Sequence, residues 1–223
     1  MKRECYELLV CLIFVVFLCS MISLFVMKRK SKPKQTLSEY QDMLKTTLKR
    51  CIQVFDNYGI KWWLTDGSLL GAVRENDIIS WDDDIDIGID NDSYAILWAK
   101  RHEIRNKYGL NLNSSWVSTL FPILKISLDG LSSTTNTLPI IDCLVYKYDR
   151  DSNKTKPVAL SENILFPNYL YTGPVKETHP CRFGQIIAKC PNNKSILANA
   201  YGQNYMVPRK RALAHNYGAI PIS

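Results

Sequence analysis

The chain has 223 residues, 46% of them hydrophobic, with 28 Lys/Arg against 21 Asp/Glu. That is enough apolar material for a core of domain size, and it excludes a disordered or fibrous chain. Seven Lys/Arg and two Glu fall within residues 1–34, so +5 of the formal +7 lies there and only +2 beyond, which excludes a nucleic-acid surface.

Leu8–Met27 (LLVCLIFVVFLCSMISLFVM) is an uncharged run of 20 residues, long enough to span a bilayer. The apolar region of a cleaved signal peptide is only about 7–15 residues long. The run therefore reads as a retained single-pass anchor between a tail at 1–7 and a basic linker at 28–35, leaving 36–223 as one catalytic domain. Basic residues after the span outnumber those before it, which points the domain to the cytoplasm. Sequons at Asn91, Asn113, Asn153 and Asn193 point to the secretory lumen. The residues alone leave the orientation open.

Within the domain, Tyr40, Leu44, Leu48, Ile52 and Phe55 recur at helical spacing, which predicts an amphipathic helix over Glu39–Tyr58 stopped by Gly59. Ile60–Leu64 predicts a short strand and residues 69–74 a helical turn. A carboxylate-bearing strand follows at Ile85–Ile89 and a second helix at Asp92–Tyr108, closed by Gly109. Strand-like runs occupy Ile123–Leu128 and Ile140–Tyr146, and Ser152–Pro174 reads as a long loop. Ile186–Cys190 predicts a last strand and Asn193–Tyr201 a last helix. The expected class is α+β, a mixed sheet flanked by helices. Cys51, Cys143, Cys181 and Cys190 follow the anchor; an even number permits disulfides without demanding them, and Cys51 and Cys143 suit buried thiols equally well.

The chemistry concentrates in SWDDDIDIGID, Ser80–Asp90. Ile85, Ile87 and Ile89 alternate with Asp84, Asp86, Gly88 and Asp90, the pattern of a half-buried strand. The isoleucines then share the core face, and Asp84 and Asp86 share the other. Asp83 falls on the isoleucine side if the strand already begins there. Two carboxylates held so close repel unless a cation or proton neutralises them, and oxygen-only ligands favour Mg²⁺ or Mn²⁺. An EF-hand alignment fails, because its sixth and twelfth positions would be Ile87 and Ser93 rather than glycine and glutamate. Upstream, Gly67 and Ser68 open a helix directly after a strand, so their backbone N–H groups could cradle phosphate. Asp142, a lone acid in the apolar run PIIDCLVY, is the candidate third carboxylate, since an unpaired charge there would be costly.

DGSLLGAVRENDIISWDDDIDIGI resembles the signature of the LicD/fukutin family, and the preceding WWL resembles its fukutin-related branch. NNKSILANAYGQNYMVP resembles the family's closing segment. The resemblance implies a nucleotidyltransferase-like fold and a metal-dependent transfer of a phosphorylated alcohol, ribitol phosphate or phosphocholine, from a CDP-linked donor to a glycan or glycoprotein hydroxyl. It implies Asp84, Asp86 and Asp142 as catalytic metal ligands for Mg²⁺ or Mn²⁺, with Asp142 also a candidate base. Gly67 and Ser68 would meet the donor's phosphates, and Lys125 could reach them. Arg74 would either neutralise phosphate or tie its helix to the acidic loop, and Trp81 would pack. It also implies a Golgi or ER membrane protein with a lumenal domain. Two rivals remain: a nucleotidyltransferase that leaves the nucleotide on its acceptor, and an inactive scaffold for other glycosyltransferases.

Overall fold

The computed structural model describes residues 36–117, 121–130, 140–158 and 170–208. The expected anchor at 8–27 and its linker lie outside them, and no helix among the described residues is long and apolar enough to cross a membrane.

The first helix, α1 (Leu37–Asn57), buries Tyr40, Leu44, Leu48, Cys51, Val54 and Phe55 along one stripe. It stops at Gly59, whose φ of 63° a side chain would oppose. Strand β1 (Trp62–Leu64) leads into α2 (Asp66–Arg74), and an acidic loop over residues 75–84 then joins α2 to β2 (Ile85–Asp90). The Asp90 carboxylate accepts from Ser93 N–H at 2.8 Å and so caps α3 (Asn91–Tyr108), which ends on Gly109 in the left-handed region. There follow β3 (Leu110–Val117), β4 (Phe121–Leu128), β5 (Ile141–Asp149), β6 (Lys154–Pro157), β7 (Tyr171–Thr172), the hairpin β8 (Thr178–Phe183) and β9 (Ile186–Pro191), and α4 (Ser195–Tyr201).

The main sheet runs β1-β2-β5-β4-β3, with β6 paired to β5 and β7 to β6, while β8 and β9 form a separate two-stranded sheet. Among the described strands β2 and β5 pair in parallel and the other ladders are antiparallel, so the sheet is mixed as expected. Both α1 and α3 pack on it. Ile85, Ile87 and Ile89 are fully buried, as alternation requires.

Four strands were not anticipated. In β3 (LNLNSSWV), Leu110 and Leu112 are buried but are interleaved with Asn and Ser, a weak periodic signal. Strands β6 and β7 fall within the expected loop, because KTKP is polar and only Thr155 and Pro157 turn inward. The polar, proline-bearing β8 is fastened to β9 by a Cys181–Cys190 disulfide, while Cys51 and Cys143 are buried free thiols.

Gly88 has a steric reason to be glycine. It pairs with Trp63, and a Cβ at residue 88 would sit 2.4 Å from the indole. The strand keeps a gap so that Trp63 can lie across it. Gly88→Ala should therefore destabilise the fold by about 1–3 kcal/mol in chemical denaturation. Replacing Trp63 with Leu as well should recover part of that loss, since the two positions share one volume.

Candidate active site

Parallel register places Asp86 of β2 directly beside Asp142 of β5, and antiparallel register places Lys125 of β4 beside Asp142 on its other flank. Lys125 Nζ donates to both Asp142 oxygens at 3.0 Å. Asp142 is therefore not the unpaired charge expected from PIIDCLVY, because Lys125 neutralises it.

Asp86 sits among other carboxylates. Burial raises its carboxyl well above the ordinary range, and repulsion from Asp84, Asp66, Asp142 and Asp82 adds to the effect. One oxygen from each of Asp82, Asp83 and Asp84 lies within 4.8 Å of the other two. The strand begins only at Ile85, so alternation does not extend back to Asp83; its buried carboxylate joins the cluster instead of facing away from it. Gln41 on α1 secures this loop, donating from Nε2 to the carbonyls of Ile79 and Asp82 at 3.1 and 2.8 Å.

Helix α2 is stitched to the carboxylate strand at one residue. Thr65 N–H donates to the Asp86 carbonyl at 3.2 Å, and Asp86 N–H donates to Ser68 Oγ at 2.8 Å. Ser68 thus couples the turn to β2 through its side chain. Thr65 makes no side-chain cap, which leaves the first-turn amides of α2 uncapped by it. A Cβ on Gly67 would meet Asp82 Oδ2 at 2.9 Å, Asp86 Oδ2 at 3.5 Å and Tyr201 Oη at 3.9 Å. The missing side chain opens a space bounded by oxygens.

Asp66, which begins the DGS stretch, is a further candidate that the sequence alone does not single out. Its backbone is left-handed at φ 44°, it is buried, and its carboxyl is pushed up to about 7, chiefly by desolvation. Tyr146 donates to it at 3.4 Å. Behind it, Trp63 Nε1 donates to Tyr171 Oη at 3.0 Å, and Tyr171 shares a hydrogen bond with Thr65 Oγ1 at 2.8 Å.

Of the two roles open to Arg74, the geometry favours the tie. Its guanidinium donates to Glu75 Oε1 at 3.0 and 2.6 Å and lies 5.7 Å from the centre of the Trp81 ring, which packs as expected. The donor set left around Asp86 is all carboxylate oxygen, the chemistry that suits Mg²⁺ or Mn²⁺.

An acidic cluster spread over adjacent strands of a mixed sheet, beside a Gly-Ser helix start, defines a nucleotidyltransferase-like class of site. Residues 59–193 match the family described as LicD/FKTN/FKRP, nucleotidyltransferase domain, and the chain belongs to that family. It is 48% identical over 46 residues to the ribitol 5-phosphate transferase FKRP of Homo sapiens and to that of Mus musculus. The match covers 21% of this chain and only 9% of those relatives. An uncharacterised Rickettsia prowazekii protein, RP689, is 44% identical over 64 residues, 29% of this chain and 22% of its own. Among solved structures, ANT(2")-Ia in complex with adenylyl-2"-tobramycin aligns with a TM-score of 0.41 at 12% identity, over 73% of this chain and 77% of that one.

A carboxyl raised from 3.8 to about 7 is a pH-dependent liability. Between those values the folded state holds the proton more tightly than the unfolded one, so this contribution to stability is complete at low pH and is lost as pH rises towards 7. Asp66→Asn, an exchange that tolerates the left-handed backbone, should remove that loss. In chelator, urea denaturation should show the variant gaining on the natural protein between about pH 4 and 7.

Proposed function

We propose that the chain transfers a phosphorylated alcohol, of the ribitol phosphate or phosphocholine type, from a CDP-linked donor to a glycan hydroxyl and releases CMP. The observation that carries this reading is the Asp86–Asp142 pairing in register, with Asp84, Asp82 and Asp66 around it, in a chain of the LicD family. The name of the FKRP relatives supports the phosphoalcohol class.

Asp84, Asp86 and Asp142 would hold Mg²⁺ or Mn²⁺, and the bound cation would supply charge neutralisation at the diphosphate. The start of α2 at Gly67 and Ser68 turns backbone donors towards the same phosphates. The acceptor oxygen attacks the distal phosphorus in line as the bond from that phosphorus to the CMP oxygen breaks. Its proton passes to a carboxylate of the cluster.

Full-length protein in detergent should release CMP from CDP-ribitol or CDP-choline, with EDTA abolishing the reaction and Mn²⁺ restoring it. Asp84→Asn and Asp86→Asn should each lower the rate at least about a hundredfold, the scale of deleting one electrostatic contact to a transition state. Nucleotide label appearing on the product would establish the nucleotidyltransferase alternative instead, and activity in chelator would remove the metal.

The domain would face the lumen of the Golgi or ER, anchored by residues 8–27. The Cys181–Cys190 disulfide supports an oxidising compartment, and Asn91, Asn113 and Asn153 are exposed sequons. The fourth sequon is different. Asn193 Nδ2 donates to the carbonyls of Thr172 and Pro174 at 2.8 and 3.3 Å, so a glycan there would displace a structural contact. Endoglycosidase should increase gel mobility, and Asn193→Gln should leave the glycosylated mobility unchanged. A protease that digests the domain in intact microsomes would overturn the orientation.

A further inference from the structure

A cavity of about 330 Å³ lies beside β1, between that edge of the main sheet and the segment leading into β8 and β9. Asp90 lines it, at the far end of β2 from Asp86 and about 13 Å along an extended strand. We propose that this cavity binds an anionic sugar, a sugar unit bearing a phosphate or a carboxylate, at a site separate from the carboxylate cluster. Its occupancy is independent of the CDP-donor reading above.

Three observations converge on it. First, positive charge predominates in the lining, where Lys61, Lys176 and Lys189 meet Asp90 as the one carboxylate. Lys61 Nζ stands 3.7 Å from Asp90 Oδ2 and Lys189 Nζ 3.9 Å from Asp56 Oδ1, so neither ammonium is held closely by its counter-ion. An anion entering here is attracted, whereas the carboxylates around Asp86 would repel it. Second, Trp62 brings a donor that the fold leaves unused. The residue lines the cavity and is 2% exposed, and its indole N–H makes no hydrogen bond among the described residues. A buried donor is costly to leave unmade, and an oxygen of a bound ligand would satisfy it. Lys189 Nζ lies 5.6 Å from the centre of the same ring, so an anion drawn by that ammonium arrives beside the indole. Third, much of the remaining wall is aromatic, with Trp63, Tyr146 and Tyr148. Tyr148 is 41% exposed, and its phenol donates to Asn153 Oδ1 at 2.8 Å, which holds the ring in place. The negative face of an aromatic ring attracts the polarised C–H groups of a sugar. An inorganic anion would make no use of that wall, and an apolar ligand would leave the ammoniums and the indole N–H unanswered. A sugar with one acidic group answers both, and the volume suits a single such unit.

The test is calorimetric titration of full-length protein in detergent and EDTA with glucose 6-phosphate, glucuronate, glucose and inorganic phosphate. Without metal the carboxylate cluster repels anions, so binding under these conditions reports on another site. At least one of the two anionic sugars should bind with a Kd below about 1 mM, and which of them binds identifies the acidic group. Glucose and inorganic phosphate should each bind at least about tenfold more weakly, since each lacks one half of the recognition. Lys176→Ala should weaken the anionic sugar at least about fivefold, as loss of a hydrogen bond to a charged group does. The melting temperature without ligand should not move, because Lys176 is exposed. Trp62→Phe, which keeps a ring against Phe55 and removes the N–H, should weaken binding as well. Natural protein that binds neither anionic sugar overturns the proposal, and so does Lys176→Ala protein that binds within fivefold of the natural chain. Inorganic phosphate binding within tenfold of the anionic sugar also overturns it, because a patch of lysines would then account for the attraction. Glucose binding within tenfold overturns it too, because the charge would then be idle.

Discussion

The parallel pairing of β2 with β5 is the constraint on which the site depends. Its register sets Ile85 beside Ile141, Ile87 beside Cys143 and Ile89 beside Val145, all buried. The same register sets Asp86 beside Asp142. A slip of one residue would exchange the two faces, moving the carboxylates into the core and the isoleucines out of it. The apolar face thus holds the charged face in an arrangement that it would not adopt on its own. Each fully buried aliphatic side chain contributes about 1.5–3 kcal/mol, so the five here, with Cys143 between them, are ample to offset the repulsion of a close pair of carboxylates. Lys125, one strand further on, offsets the charge of Asp142, while Asp84, Asp66 and Asp82 still act on Asp86.

Everything else near the carboxylates is fixed relative to that pair. Asp86 both accepts from Thr65 N–H and donates to Ser68 Oγ, so α2 starts at a defined height above β2. Gly88 lets Trp63 cross the strand two residues later, and Trp63 in turn meets Tyr171, whose hydroxyl reaches Thr65. Tyr171 sits on β7, which α4 fastens through Asn193 and Ser195. The residues that look remote in the chain therefore converge on the short segment from Thr65 to Ser68. A site held through a second layer of hydrogen bonds keeps its geometry at little reorganisation cost during reaction.

What could be read in the sequence follows from this division of labour. The carboxylate strand and α1 were legible because burial on one face imposes a period of 2 or 3.6 on the residues themselves. Asp84 and Asp86 stand out in the sequence as candidates because they interrupt that pattern with charge. The Lys125–Asp142 pair was not, since both residues could be seen while the register joining their strands could not. Asp66 was hidden for a related reason: an acid in a Thr-Asp-Gly-Ser turn is ordinarily solvated, and its burial is imposed by aromatic residues from β5 and β7. Asp83 misled because alternation was carried back into a loop that is not a strand. The two unforeseen short strands, β6 and β7, are polar pairs whose place is set by their neighbours more than by their own composition.

The distribution of cations constrains what this cluster can accept. Arg74 and Lys125 could have lined a phosphate site, yet each is already bound to a carboxylate. Asp66, Asp82, Asp84 and Asp86 remain close enough to one another that the raised carboxyl of Asp86 registers all of the other three. A diphosphate alone would meet repulsion from these groups, whereas a divalent cation alone would relieve it. Under the proposed reading, the cluster therefore has little affinity for a bare donor and gains it once cation charge is present. The backbone N–H groups at the start of α2 then contribute orientation, while the cation adds to the charge compensation that Lys125 supplies at Asp142. Such a site discriminates by requiring both components together, and it leaves the protein less stable when neither is bound.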